Sequence, residues 1–150
     1  MTRLYPLIVG VVAALAMAAA VSAEPLDRTF AVTLTSAEEV PVCEATNAGD
    51  RGVALFKIVD LAAGTVEFKV IATGLPGDVV AAHIHGQAPA GVAAGVVQPL
   101  QVTGSQVGVV AAGTFTNPDL VAAALANPEL YYVNVHTTTC PAGAIRGQLG

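Results

Sequence analysis

Residues 53–70 read VALFKIVDLAAGTVEFKV, and this stretch decides the fold class. Two apolar runs flank the short link 60–64, which carries the glycine that a tight hairpin connection favours. In the second run, Val66, Phe68 and Val70 alternate with charged residues, which is the period of a strand that buries one face. The stretch therefore predicts a β-hairpin.

Similar short runs recur on both sides of this hairpin, with turn-forming residues between them. They lie at residues 30–34, 79–85, 96–100, 107–115, 131–136 and 144–149. Asn117-Pro118-Asp119 offers an N-cap, a proline at the first helical position and an acid in the first turn, and so predicts one short helix. The pattern predicts an all-β fold: a Greek-key or immunoglobulin-like β-sandwich of about eight strands with one short helix.

The composition limits the classes of function. The chain has 150 residues, enough for one ordinary domain, of which 54% are hydrophobic and 11% are charged. So apolar a chain with so little charge is not an intrinsically disordered one. The net charge is −5 and the few basic residues are scattered, so the sequence predicts no nucleic-acid partner.

The N-terminal residues 1–23 have the order of a secretory signal peptide. Arg3 precedes an apolar run, and small residues at 21–23 form a cleavage site. The alternative is an uncleaved anchor helix, but the run is rich in Ala and Gly, and Pro6 breaks its start. We predict a cleaved signal peptide, a mature domain at 24–150, contact with the membrane only during export, and a secreted or periplasmic location.

The two cysteines, Cys43 and Cys140, both fall in the exported part of the chain. An even pair without CxxC spacing favours a disulfide in an oxidising compartment, and two free thiols are the alternative. Such a bond brings together the segments that carry Glu39 and Arg146. We therefore predict that Glu39 and Arg146 form a structural ion pair between the first and last strand regions, in preference to a binding role.

The histidines are the residues most informative about function. His83 and His85 are two positions apart on a predicted strand, so both imidazoles share one face while Ile84 takes the other. The same rule groups Tyr132, Asn134 and His136 opposite the valines of their strand. If the two strands are neighbours, three imidazoles converge outside the core, where the small-residue loop 86–95 can cover them.

Three neutral imidazoles suit copper, or after it zinc. The ring tautomers would be fixed by Asn134, by Gln87 or by a backbone carbonyl. The alternative is that each histidine, His83, His85 and His136, hydrogen-bonds loop backbone and binds no ion. Both hypotheses stay open at this point: a copper or zinc site at these three histidines, and a structural role without a metal.

The chain resembles the CHRD family, the domain named after chordin. Four motifs carry the likeness in the family's order: FAVTL at 30–34 with EVP at 39–41, GLPG at 74–77 with AHIHG at 82–86, YVNVHT at 132–137, and GAIRGQ at 143–148. The resemblance implies an immunoglobulin-like or related β-sandwich over residues 24–150. It does not assign a biochemical activity. Our first hypothesis is a binding module for an extracellular or periplasmic protein or other ligand.

A looser resemblance is to copper/zinc superoxide dismutase, a Greek-key barrel. That enzyme also has a Gly-Leu followed by a His-x-His strand, as in 74–75 and 83–85, and a disulfide from a loop to the last strand. Its copper takes four histidines, whereas this chain has three in all. We predict a non-enzymatic exported CHRD binding module, with a three-histidine copper site as a hypothesis, and keep a degenerate superoxide-dismutase-like copper redox protein as the alternative.

Overall fold

A computed structural model describes residues 28–150. In chain order this part contains β1 (Arg28–Thr35), β2 (Arg51–Asp60), β3 (Thr65–Thr73), β4 (Val79–Gly86), β5 (Val96–Leu100), β6 (Gly108–Thr116), α1 (Pro118–Ala126), β7 (Tyr131–Thr137) and β8 (Ile145–Gln148). The predicted all-β class, with eight strands and one short helix, is confirmed. The predicted signal peptide at 1–23 lies outside the described residues.

The eight strands form one antiparallel sheet in the order β5-β4-β7-β8-β1-β2-β3-β6. The sheet curves until its two edges nearly meet. Val102, just after β5, pairs with Ala111 of β6, and the Thr103 N–H donates to the Val110 carbonyl at 3.0 Å. Because β3 to β4 and β6 to β7 cross over other strands, the connectivity is of the Greek-key type.

The core lies inside this curved sheet and takes apolar side chains from every strand. Representative members are Val32, Ala54, Val66, Ala82, Leu100, Val110, Val133 and Ile145. Helix α1 begins as predicted, because the Asn117 Oδ1 accepts a hydrogen bond from the Leu120 N–H at 3.1 Å. Leu120 and Val121 turn inward, and an apolar cavity of about 180 Å³ lies between the helix and the strands.

The predicted disulfide is confirmed: Cys43 and Cys140 are bonded, with their Cα atoms 5.9 Å apart. The bond joins the loop after β1 to the loop between β7 and β8. It therefore holds the segment that carries Glu39 against the segment that precedes Arg146. Among residues 28–150, no helix has the length and apolar character needed to cross a membrane.

Candidate metal centre

The three histidines come together because β4 and β7 are antiparallel neighbours. In this register His83 pairs with Asn134, His85 with Tyr132, and Ala81 with His136. Side chains alternate along both strands, so the aliphatic residues between these positions face the core and the imidazoles face outward. The predicted convergence of three imidazoles outside the core is what the structure has.

The ring nitrogens are spaced closely enough for one ion. One ligand atom from each of His83, His85 and His136 lies within 4.8 Å of the other two. The shortest approach is 3.1 Å, between the Nδ1 of His83 and the Nε2 of His136. Ligand nitrogens about 2.0–2.1 Å from a shared ion are roughly 3.3–3.6 Å apart, so modest ring rotation completes a three-nitrogen site.

Two backbone carbonyls fix the tautomers of the buried histidines. The Nδ1 of His85 is 2.9 Å from the Ala94 oxygen, and the Nδ1 of His136 is 3.1 Å from the Pro141 oxygen. A carbonyl oxygen only accepts, so in both rings Nδ1 carries the proton and Nε2 holds a lone pair that can accept. This is the arrangement that a metal-binding imidazole requires.

One of these lone pairs has no partner at all. The Nε2 of His85 is buried and makes no hydrogen bond within the described structure. An unpaired buried polar atom costs free energy, commonly about 1–3 kcal/mol, so such an atom calls for an explanation. A cation at this position would satisfy the lone pair and share it with the two neighbouring rings.

Burial favours the neutral form of all three rings. Desolvation is the largest cause that lowers the pKa of His83, His85 and His136 below its usual value. The hydrogen bonds to Ala94 and Pro141 oppose this for the two buried rings, and neighbouring charges lower the pKa further. Neutral imidazoles compete poorly for protons and are therefore ready to bind a metal at neutral pH.

The cluster is covered on one side and open on another. His85 and His136 are buried, whereas His83 is half-buried. The Tyr132 hydroxyl accepts from the Ala94 N–H at 2.9 Å and lies 3.2 Å from the Ala94 oxygen, which holds the predicted covering loop over His85. An ion therefore reaches the site from the side of His83.

The residues predicted to orient the histidines have other partners. Gln87 donates to the Tyr131 hydroxyl at 2.8 Å, and Asn134 donates to Oε2 of Glu39 at 3.0 Å. The backbone carbonyls, the third possibility, take that role instead. Tyr132 lies on the histidine face as predicted, and its ring also stacks on the ring of His85, with centroids 4.8 Å apart and planes 5° apart, a contact that the strand period does not predict.

The predicted ion pair between Glu39 and Arg146 is corrected by the structure. Both side chains are buried, but Glu39 pairs with Asn134, and Arg146 donates to Gln148 Oε1 at 3.2 Å. The guanidinium is held away because it stacks on Tyr132, its Cζ 3.5 Å from the ring centroid. Arg146 therefore acts on Glu39 only through its charge.

Comparison with known proteins agrees with this fold. The family model described as CHRD domain matches residues 30–149, which covers all but the ends of the described part. Neither the comparison with curated proteins nor the comparison with solved structures gives a match.

Proposed function

The chain belongs to the CHRD domain family, and we propose that it is an exported, non-enzymatic binding module that holds one copper ion with His83, His85 and His136. The observation that carries this proposal is the cluster of three imidazoles, in which the Nε2 of His85 is buried and has no hydrogen-bond partner.

The ligand set favours copper over zinc. In the described part of the chain, the cluster consists of three histidines with no cysteine, aspartate or glutamate. Structural zinc sites almost always use four protein ligands, often cysteines. Imidazole nitrogen suits both metals, so the missing fourth protein ligand is what favours copper over a structural zinc ion.

An oxidising compartment fits the disulfide. The bond between Cys43 and Cys140 is of a kind that persists in secreted and periplasmic proteins and is rare in the cytosol. Residues 1–23 have the sequence order of a signal peptide, which would bring the chain there. We propose that the protein works outside the cytoplasm, where a protein or another extracellular ligand is its partner.

A superoxide-dismutase-like redox activity is the less favoured function. Three histidines supply one ligand fewer than the copper of that enzyme takes, and none is left for a zinc ion. Superoxide turnover by the copper-loaded protein separates the two functions. Turnover no faster than that of free copper supports the binding module, whereas turnover well above it supports the enzyme.

Elemental analysis of protein purified from the exported fraction tests the proposal. Wild type should carry about one copper per chain and His83→Ala much less, because three donors fall to two. Val80→Ala, at an exposed position of the same strand, is the matched control and should keep the metal. Equal metal content in wild type and His83→Ala would refute the site.

A further inference from the structure

A buried cation lies one ring away from the histidine cluster. Arg146 is 2% exposed, and its Cζ is 3.5 Å from the centroid of the Tyr132 ring. His85 stacks on the same ring, 4.8 Å between centroids. Since β7 lies between β4 and β8, His85 and Arg146 approach Tyr132 from opposite sides. The positive charge is thus fixed close to the cluster and shielded from water.

The groups that contact the Arg146 guanidinium are neutral. The polar contacts of Arg146 go to the Pro89 carbonyl oxygen at 3.4 Å and to Oε1 of Gln148 at 3.2 Å. An imidazole that binds a metal does so in its neutral form, and no carboxylate joins the histidine cluster within residues 28–150. Neutral ligands would not cancel the charge of an ion bound there, and the positive charge of Arg146 would repel it.

Glu39 interacts electrostatically with Arg146, and its own contacts indicate that it is protonated. Asn134 donates to its Oε2, while Oε1 of Glu39 and Oδ1 of Asn134 are both buried acceptors without a partner. A proton on Oε1 of Glu39 would let this oxygen donate to Oδ1 of Asn134, so one proton gives both atoms a hydrogen bond. Burial raises the pKa of Glu39 to about 7, so in mildly acidic solution its carboxyl does not cancel the arginine charge.

From this charge arrangement we propose that the site selects a monovalent ion, Cu⁺, over the divalent ions Cu²⁺ and Zn²⁺, and that Arg146 is the residue that sets this preference. The inference rests on the proposed function, since it concerns the ion that the three histidines hold. The repulsion from a fixed positive charge is about twice as large for a divalent ion as for a monovalent one. Imidazole nitrogen suits copper but does not by itself select Cu⁺, so the preference is assigned to the charge of Arg146.

The test compares dissociation constants for Cu⁺ and Cu²⁺, measured by competition with chromophoric chelators at about pH 6, one unit below the pKa of Glu39. Wild type should bind Cu⁺ more tightly than Cu²⁺. Arg146→Met should shift the ratio toward Cu²⁺ by about tenfold, the size of a unit-charge interaction at this range. Arg146→Lys keeps a basic side chain here and should shift the ratio less than Arg146→Met does.

The outcomes separate this inference from the proposed function. If wild type binds Cu²⁺ more tightly than Cu⁺, or if Arg146→Met folds and leaves the ratio unchanged, the inference is overturned although the copper site stands. If His83→Ala binds both ions as wild type does, the proposed site itself fails. Because the wild-type comparison needs no variant, the test survives if Arg146→Met does not fold.

Discussion

His83 and His136 lie with Nδ1 and Nε2 3.1 Å apart, although 53 residues separate them in sequence. The Nδ1–H of His136 donates to the Pro141 carbonyl, so Nε2 of His136 accepts, and Nδ1 of His83 is the donor in the metal-free protein. An ion bound to both nitrogens would replace the proton on Nδ1 of His83, and that proton would move to Nε2 of the same ring. The hydrogen bond therefore holds the two rings in position before the metal arrives.

Removing the Tyr132 hydroxyl should weaken metal binding. In Tyr132→Phe the ring still stacks on His85. The Ala94 N–H and carbonyl lose their hydrogen bonds with the hydroxyl, and the carbonyl that orients His85 is then less restrained. Loss of a group that supports a ligand commonly costs 10- to 100-fold in metal affinity, and we expect about tenfold. Chelator competition measures it.

Tyr131→Phe is the matched control for this change. Its hydroxyl accepts from Gln87 and has no contact with a histidine in the described structure. We expect its metal affinity to stay within about threefold of wild type, since its effect on the ligands is indirect. Equal losses in the two variants would show that the Tyr132 hydroxyl has no specific role in holding His85.

Glu39→Gln should change how stability depends on pH. Desolvation raises the pKa of Glu39 from 4.5 to about 7, against the opposing effects of Asn134, Arg146 and the Val40 backbone. The folded state thus keeps a proton that the unfolded state loses, and the free energy of unfolding falls as pH rises through this window. The fall is about 3 kcal/mol in total and is absent in the variant.

Urea unfolding of both proteins from about pH 4.5 to 7.5 measures this effect. The lowered pKa values of the histidines make stability rise with pH up to their usual value of 6.5, but this contribution is common to both proteins and cancels in the difference. Glu38→Gln, at an exposed position, is the control. A pH-independent difference between wild type and Glu39→Gln would contradict a raised pKa.

Loss of the disulfide should destabilise the domain substantially. The bond between Cys43 and Cys140 spans 97 residues, and closing so long a loop restricts the unfolded chain. We expect the Cys43→Ala/Cys140→Ala variant to lose about 2–5 kcal/mol of unfolding free energy in urea titrations. Wild type under reducing conditions should show a similar loss. A loss below 1 kcal/mol in both would mean that the bond adds little to the fold.

Local patterns were sufficient to predict the strands and the histidine face. Alternation at Val66, Phe68 and Val70 predicted β3, and the spacing of His83 and His85 put both rings outside the core. These features depend only on the period of the backbone. The CHRD motifs added the family, which the match over residues 30–149 confirms.

Partners of single side chains were predicted less well. The Glu39–Arg146 ion pair was wrong because an aromatic ring, Tyr132, offers Arg146 a closer partner from the neighbouring strand. Asn134 turns to Glu39 for a similar reason, since the disulfide brings that carboxyl beside β7. Such contacts depend on how loops fold back over the sheet, which no local period encodes.

The most direct test of the copper site is a titration of the full-length protein with Cu⁺, followed by NMR of the ring nitrogens. The diamagnetic ion leaves the imidazole signals of His83, His85 and His136 observable. We predict that one equivalent of Cu⁺ shifts the signal of a ring nitrogen of each histidine. In His85 and His136 the ligand is Nε2, while Nδ1 keeps its proton and its hydrogen bond to the carbonyl of Ala94 or Pro141. Copper that binds without shifting these three rings would contradict the proposed site.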